Sequence, residues 1–350
     1  MQIFSSGDEV RVRPGPELEL GREAPRGHAG ALTSPGLCTY LKAVGLARSG
    51  TVAASALTTT LGAIRLGELM DRSSGRPEIG IGLIDGPVFL SHPDLVRVAI
   101  QEVSDSQPSH CLRADSRACR HGTFVAGVLS ARRTSIAPAI CPGCTLLVRP
   151  VFSETDEQRG NPPRATAQEL AEAVVDCVNA NARLINLSST LVQTSTSSQS
   201  ELVAALDYAA SRGVITVAAA GNEGKIGTSV VTAHRGVIPV TACDLHGRLL
   251  PLSNLGRSIG TRGVMAPGMG ITSLSPTGAS QTLGGTSAAT PLVTGVLALL
   301  WSVFPNATAT RILQSLLRAR PSRSVGRRSV APPLLDASAA YITMTRIAHL

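Results

Sequence analysis

Residues 167–187, AQELAEAVVDCVNANARLINL, and 201–222, ELVAALDYAASRGVITVAAAGN, each read as a helix running into a strand. In the first, Leu170, Val174, Val175 and Val178 recur at three- and four-residue spacing, so Ala167–Ala182 is expected to be helical with one apolar side. Leu184–Leu187 is then an apolar run of strand length. In the second, Glu201–Arg212 reads as helix and Val214–Ala219 as a strand that ends at Ala220-Gly221-Asn222. Strands alternating with helices of about 10–15 residues belong to a parallel sheet covered on both faces. Working outward, Thr145–Val151 (TLLVRPV) is a further strand and His121–Ala131 (HGTFVAGVLSA) a further helix. Glu78–Asp85 (EIGIGLID) is an apolar run ending in a carboxylate. The expected class is α/β, three layers, with a mostly parallel central sheet and helices on both faces.

In open sheets of this kind, function collects beyond the carboxyl ends of the strands. Asp85 and Asn222 close two strands, and His121 stands at the expected start of a helix after the polar loop 101–120. A fourth group, Ser287, lies in GGTSAATP (284–291). Proline is tolerated in the first turn of a helix, so Pro291 places a helix start close to Ser287. The following VTGVLALLW (293–301) is apolar nearly all round, which predicts a buried helix. A serine at its mouth lies beside unpaired N–H groups and the positive dipole end, both suited to a developing oxyanion. Singly, each residue has an ordinary reading: strand-end carboxylate, helix-start polar residue, turn asparagine, N-cap serine. All four at element ends make that reading much weaker.

Composition narrows the alternatives. The 350 residues carry 32 Lys+Arg against 24 Asp+Glu, a net charge of +8. Nearly all the excess sits in residues 301–350, from Arg311 through Arg318, Arg320, Arg323, Arg327 and Arg328. A solvated helix end and loop explains such a run, and a nucleic-acid docking patch is the sharper reading. Aromatic residues are only 3%, which leaves few rings to stack on bases, and no nucleic-acid partner is expected. No uninterrupted apolar run of about 18 residues appears, so no membrane partner is expected. MQIFSSGDEV lacks a basic segment followed by an apolar one, which makes the cytoplasm the expected compartment and secretion the runner-up.

The strings Asp85-Gly86, His121-Gly122-Thr123, Ala220-Gly221-Asn222 and Gly285-Thr286-Ser287-Ala288-Ala289-Thr290-Pro291 resemble the subtilisin-like serine proteases, the subtilases. Asp before His before Ser is that family's chain order. The likeness covers about residues 79–340. It implies a subtilisin-like fold with a catalytic domain over 79–340, an N-terminal extension over 1–78 and a short tail over 341–350. It implies Ser287 as nucleophile, His121 as base, Asp85 as its partner and Asn222 as oxyanion donor, acting without a cofactor on a peptide or protein substrate. Ile84-Asp85-Gly86-Pro87-Val88 with Ser91-His92-Pro93 is similar, more narrowly, to the cyanobactin-maturation proteases, so precursor processing is the expected role. An extended peptide would lie beside Ser188, Ser189 and Thr190, with Ala219 and Gly221 walling a roomy pocket. Two alternatives remain in view: a catalytically silent peptide-binding module and a peptide macrocyclase. Macrocyclases of that type carry a helical insertion between Asp and His, whereas 35 polar-rich residues separate Asp85 from His121 here, which favours hydrolysis.

Seven cysteines cannot all pair internally. Cys141-Pro-Gly-Cys144 has zinc-knuckle spacing that Cys111 and Cys119 would complete. A Cys111–Cys119 or Cys141–Cys144 disulfide and reduced half-buried thiols are the alternatives, with Cys177 a core residue. No acidic cluster has calcium-loop spacing, and no metal ligand is assigned.

Overall fold

The computed structural model describes residues 59–103, 108–154, 165–188, 196–319 and 329–348. In chain order its elements are α1 (Gly67–Arg72), β1 (Gly80–Asp85), β2 (Ile100–Glu102), α2 (Arg117–Ser130), β3 (Thr145–Pro150), α3 (Ala167–Asn179) and β4 (Ala182–Leu187). Then come α4 (Thr196–Ser211), β5 (Ile215–Ala219), α5 (Val230–Ala233), β6 (Val237–Cys243), α6 (Arg257–Arg262) and β7 (Val264–Pro267). The hairpin β8 (Ile271–Leu274) and β9 (Ser280–Leu283) leads into α7 (Thr286–Val303), followed by α8 (Ala309–Arg318) and α9 (Ala337–Ala348).

The seven strands lie in the order β2-β3-β1-β4-β5-β6-β7, every neighbouring pair parallel. After β1 the chain builds outward on one side, then returns to lay β4 on the other. That reversal opens a crevice at the carboxyl ends of the strands. Side chains alternate across the pleat and so feed two cores. Ile81, Leu83, Leu146, Val148, Val217 and Val240 face one layer with Phe124, Leu129, Leu292 and Val296 of α2 and α7. Ile84, Leu147, Leu187 and Ala218 face the other, with Leu170, Val174 and Cys177 of α3 and Leu202 and Leu206 of α4. The three-layer arrangement expected from the alternation is therefore present, and Cys177 is fully buried.

Local chemistry fixes the ends of these elements. Thr166 and Glu169 form a reciprocal capping box that starts α3. Ser116 accepts from the Cys119 amide at 3.0 Å and starts α2 at Arg117, four residues earlier than the HGT string suggested. His121 is therefore the fifth residue of the helix and not its start. Pro291 also falls differently: it is the sixth residue of α7, inside the helix. Lacking an N–H, it leaves the Ser287 carbonyl without the usual bond from four residues on. From Thr286 to Ser302 every residue is buried except Ser287. By length and composition α7 could cross a membrane, but it is enclosed by the sheet and its neighbouring helices.

The expected domain limits at 78 and 340 both fall inside packed structure. Ile64, Leu66 and Leu69 are buried in the same core as α7. Asp336 pairs with Arg65, and Ala337 donates to the Ile64 carbonyl at 2.9 Å. Arg133 donates to the carbonyls of Met70, Ser73 and Ile140. α9 continues unbroken through 341 because Ala337, Ala340 and Met344 bury one face. Apolar side chains, spaced too irregularly to read as one amphipathic helix, draw both ends onto the domain. Of the basic run, Arg311 and Arg318 lie on α8, while Arg320, Arg323, Arg327 and Arg328 lie outside the described residues.

Candidate active site

β1 delivers Asp85 to the mouth of the crevice with no solvent exposure. Its Oδ1 accepts from the Gly86 amide at 2.7 Å and faces His121 Nδ1 at 2.6 Å. The carboxylate only accepts, so Nδ1 carries the proton and Nε2 is left as the basic nitrogen. The second oxygen, Oδ2, is buried without a partner. Unsatisfied charge of that kind favours a positive neighbour. Burial alone would pull the His121 pKa down, but the Asp85 charge and hydrogen bond outweigh it and leave the pKa raised above 6.5.

Two glycines make this approach possible. A Cβ on Gly86 would sit 2.1 Å from the Ala118 carbonyl oxygen, and one on Gly122 would sit 2.3 Å from that of Gly86. The turn after Asp85 and the first turns of α2 thus meet backbone to backbone.

Asn222 follows β5 and is exposed. Its Oδ1 accepts from the Thr286 amide at 2.9 Å and from Thr286 Oγ1 at 3.1 Å. The oxygen end of the amide is thereby held, and its NH2 is the end left to donate. Gly221, at φ 104°, donates to Thr286 Oγ1 at 3.3 Å. A side chain there would meet Asn254 at 2.3 Å. Gly285, at φ 100°, passes close under Asn222 and caps α7. Thr286 is the residue that sequence reasoning missed. It stands in the GTS string beside Ser287, yet its role becomes visible only through a partner 64 residues away.

The hairpin β8–β9 ties the two halves together. Ser273 donates to the Phe124 carbonyl at 2.8 Å and Gln281 to that of Arg120 at 2.6 Å, so α2 and the chain entering α7 share one edge. Asp85, His121, Asn222 and Ser287 therefore gather at one end of the fold. Ala219 closes β5 as a buried residue. Ser188 is buried, and its hydroxyl accepts from Asn186, itself bonded by Thr294 of α7. That hydroxyl serves the interior, leaving Ser188 its backbone for any ligand. Ser189 and Thr190 lie outside the described residues.

Cys111 and Cys119 form a disulfide, with Cα atoms 5.4 Å apart. This removes two of the four thiolates that the zinc arrangement required. Cys141 and Cys144 are free and buried. Cys144 and burial push the Cys141 thiol well up, and the Cys141 hydrogen bond pulls Cys144 down.

Three comparisons bear on this geometry. The thermostable alkaline protease of Halalkalibacterium halodurans is 33% identical over 227 residues, 65% of this chain and 58% of that protein. The match spans less than two thirds of that protein, and likewise of the thermophilic serine proteinase of Bacillus sp., at 54% of its length. Among solved structures, a mutant of the protease domain of PatA is 31% identical with a TM-score of 0.68, over 78% of this chain and 97% of the other. The prenylagaramide maturation protease PagA is 26% identical with a TM-score of 0.69, over 80% and 98%. Residues 77–331 match the subtilase family, peptidase S8, and with the sheet order and site geometry above, the chain belongs to that family.

Proposed function

We propose that the chain is a serine endopeptidase that matures a peptide or protein precursor. The observation that carries this reading is the 2.6 Å contact of Asp85 with His121 Nδ1, at the edge shared with the Asn222 amide and Ser287. A serine hydroxyl is too weakly acidic to attack an amide near neutral pH without a base. His121 Nε2 takes the Ser287 Oγ proton as Oγ bonds to the scissile carbonyl carbon. The tetrahedral oxyanion accepts from Asn222 Nδ2 and from the Ser287 amide at the positive end of α7. Collapse breaks the C–N bond as the imidazolium protonates the leaving amine. Water then repeats the sequence on the acyl-enzyme.

The names of two neighbours, the prenylagaramide maturation protease PagA and the patellamide maturation protease PatA, support a precursor as substrate. Hydrolysis is favoured over cyclisation because, among the described residues between Asp85 and Arg117, no helix stands over the site. An intact Asp-His-Asn-Ser set argues against a silent binding module.

The test is labelling with a fluorophosphonate, read by intact mass. A single adduct on wild type, mapped to Ser287 and absent in Ser287→Ala, is expected together with cleavage of a peptide substrate. Wild type that takes no adduct overturns the reading.

A further inference from the structure

A ring of structure encloses the turn that follows Asp85. On one side, Val88 donates to the Ser109 carbonyl at 2.9 Å, and Cys111 donates back to the Val88 carbonyl at 3.2 Å. On the other, Gly86 abuts Ala118, and Phe89 donates to Thr123 Oγ1 at 2.9 Å, both partners on α2. Cys111 lies on the first side and Cys119 on the second, so their disulfide closes the ring around Pro87 and Val88 two residues before His121.

Glu154 braces the same ring from below. It is 6% exposed, and its carboxylate accepts from the Leu112 amide at 2.7 Å, the Arg113 amide at 3.2 Å and Ser116 Oγ at 2.6 Å. Ser116 is the cap of α2. Glu154 follows Val151, whose amide donates to the Asp85 carbonyl at 2.8 Å. One buried carboxylate and one covalent bond therefore set α2 against the Asp85 turn.

We infer that Cys111, Cys119 and Glu154 are positioning residues for the Asp85–His121 pair, and that a dithiol reductant lowers the activity by opening the disulfide between them. The inference rests on the proposed protease reading only for its rate measurements. Chemically the step is thiol–disulfide exchange. A thiolate of the dithiol attacks Cys111 Sγ, the half-exposed partner, and the S–S bond breaks to release the Cys119 thiolate. The second thiol of the reagent resolves the mixed disulfide and frees Cys111. Two electrons pass to the protein, two protons settle on the cysteines, and the reagent leaves as its own disulfide. Freed from the bond, α2 and the loop 109–111 separate by fractions of an ångström, enough to weaken a 2.6 Å contact.

The experiment compares oxidised wild type, wild type in dithiothreitol, and Cys111→Ser/Cys119→Ser. Reduction at these two cysteines is verified by alkylation mapping. On reduction kcat is expected to fall about 10–100-fold, the scale for small misplacements of reacting groups. KM stays within two-fold, circular dichroism is unchanged, and activity returns on reoxidation. The double variant matches the reduced rate and ignores the reductant. Glu154→Ala lowers kcat in the same way, while Glu154→Gln, which keeps an acceptor oxygen, restores most of it. Independently of cleavage, an NMR titration of His121 is expected to show its pKa falling towards 6.5 on reduction. Mapped reduction with an unchanged His121 titration overturns the inference, as does loss of the whole fold on reduction. Absence of a fluorophosphonate adduct on oxidised wild type sinks the protease reading instead, and the titration still decides the brace.

Discussion

The two halves of the site are built differently. Around Asp85 and His121 everything is tight: a fully buried carboxylate, glycines at van der Waals limits, a disulfide and a three-donor carboxylate brace. Around Asn222 and Ser287 the side chains reach solvent, and order comes from neutral hydrogen bonds through Thr286. In the proposed reaction, the base has to be desolvated and aimed before any substrate arrives. The proposed nucleophile and oxyanion donor need an open approach for the peptide. Rigid burial on one side and exposed, hydrogen-bonded placement on the other meet both needs.

The contrast breaks most sharply at Asp85→Asn. Removing the charge leaves His121 in the wrong tautomer, and kcat is expected to fall about 10⁴-fold, the scale of serine-protease triads. The same change should move the acid limb of kcat/KM downward. In wild type that limb is expected above pH 6.5, because the proposed base His121 acts when neutral and its pKa is raised. Protonated His121 stabilises the fold below pH 6.5, and this contribution is lost as pH rises through the folded pKa. Activity and this increment of stability therefore run in opposite directions, which paired rate and melting series would check. On the open side, Asn222→Ala should cost about 10²–10³-fold in kcat with little change in KM, a magnitude known from subtilisin itself. Gly122→Ala sharpens the comparison from the tight side: its Cβ meets backbone at 2.3 Å, an overpacking worth about 1–3 kcal/mol and a melting drop of several degrees. Smallest is Ile226→Ala, an 80% exposed residue on the open side, expected within about 0.5 kcal/mol of wild type by denaturant melt.

Much of this was legible in the sequence, and the limits have physical causes. β1, β3, β4 and β5 stand out as continuous apolar runs because both faces of a parallel sheet are covered. β6 hides because Pro239 interrupts VIPVTAC, and β7 because four residues make too short a pattern. The start of α2 was hidden since Ser116 looks like any serine in a polar loop until its capping bond is seen. Asp85, His121, Asn222 and Ser287 stand out as candidates because their types and order are rare together. Thr286, Glu154 and the Cys111–Cys119 pairing were not fixed, since each depends on partners that only the fold brings near.

The chain ahead of β1 has a practical side. Ile64, Leu66 and Leu69 are each at most 1% exposed, and side chains so buried contribute about 1.5–3 kcal/mol apiece. Together that rivals the whole net stability of an ordinary domain, about 5–15 kcal/mol. A gene trimmed to begin at residue 77, where the family match starts, would yield a polypeptide with a bare apolar trough beside α7 and α9. Such a polypeptide is expected to aggregate, and recombinant production should keep Ile64, Leu66 and Leu69.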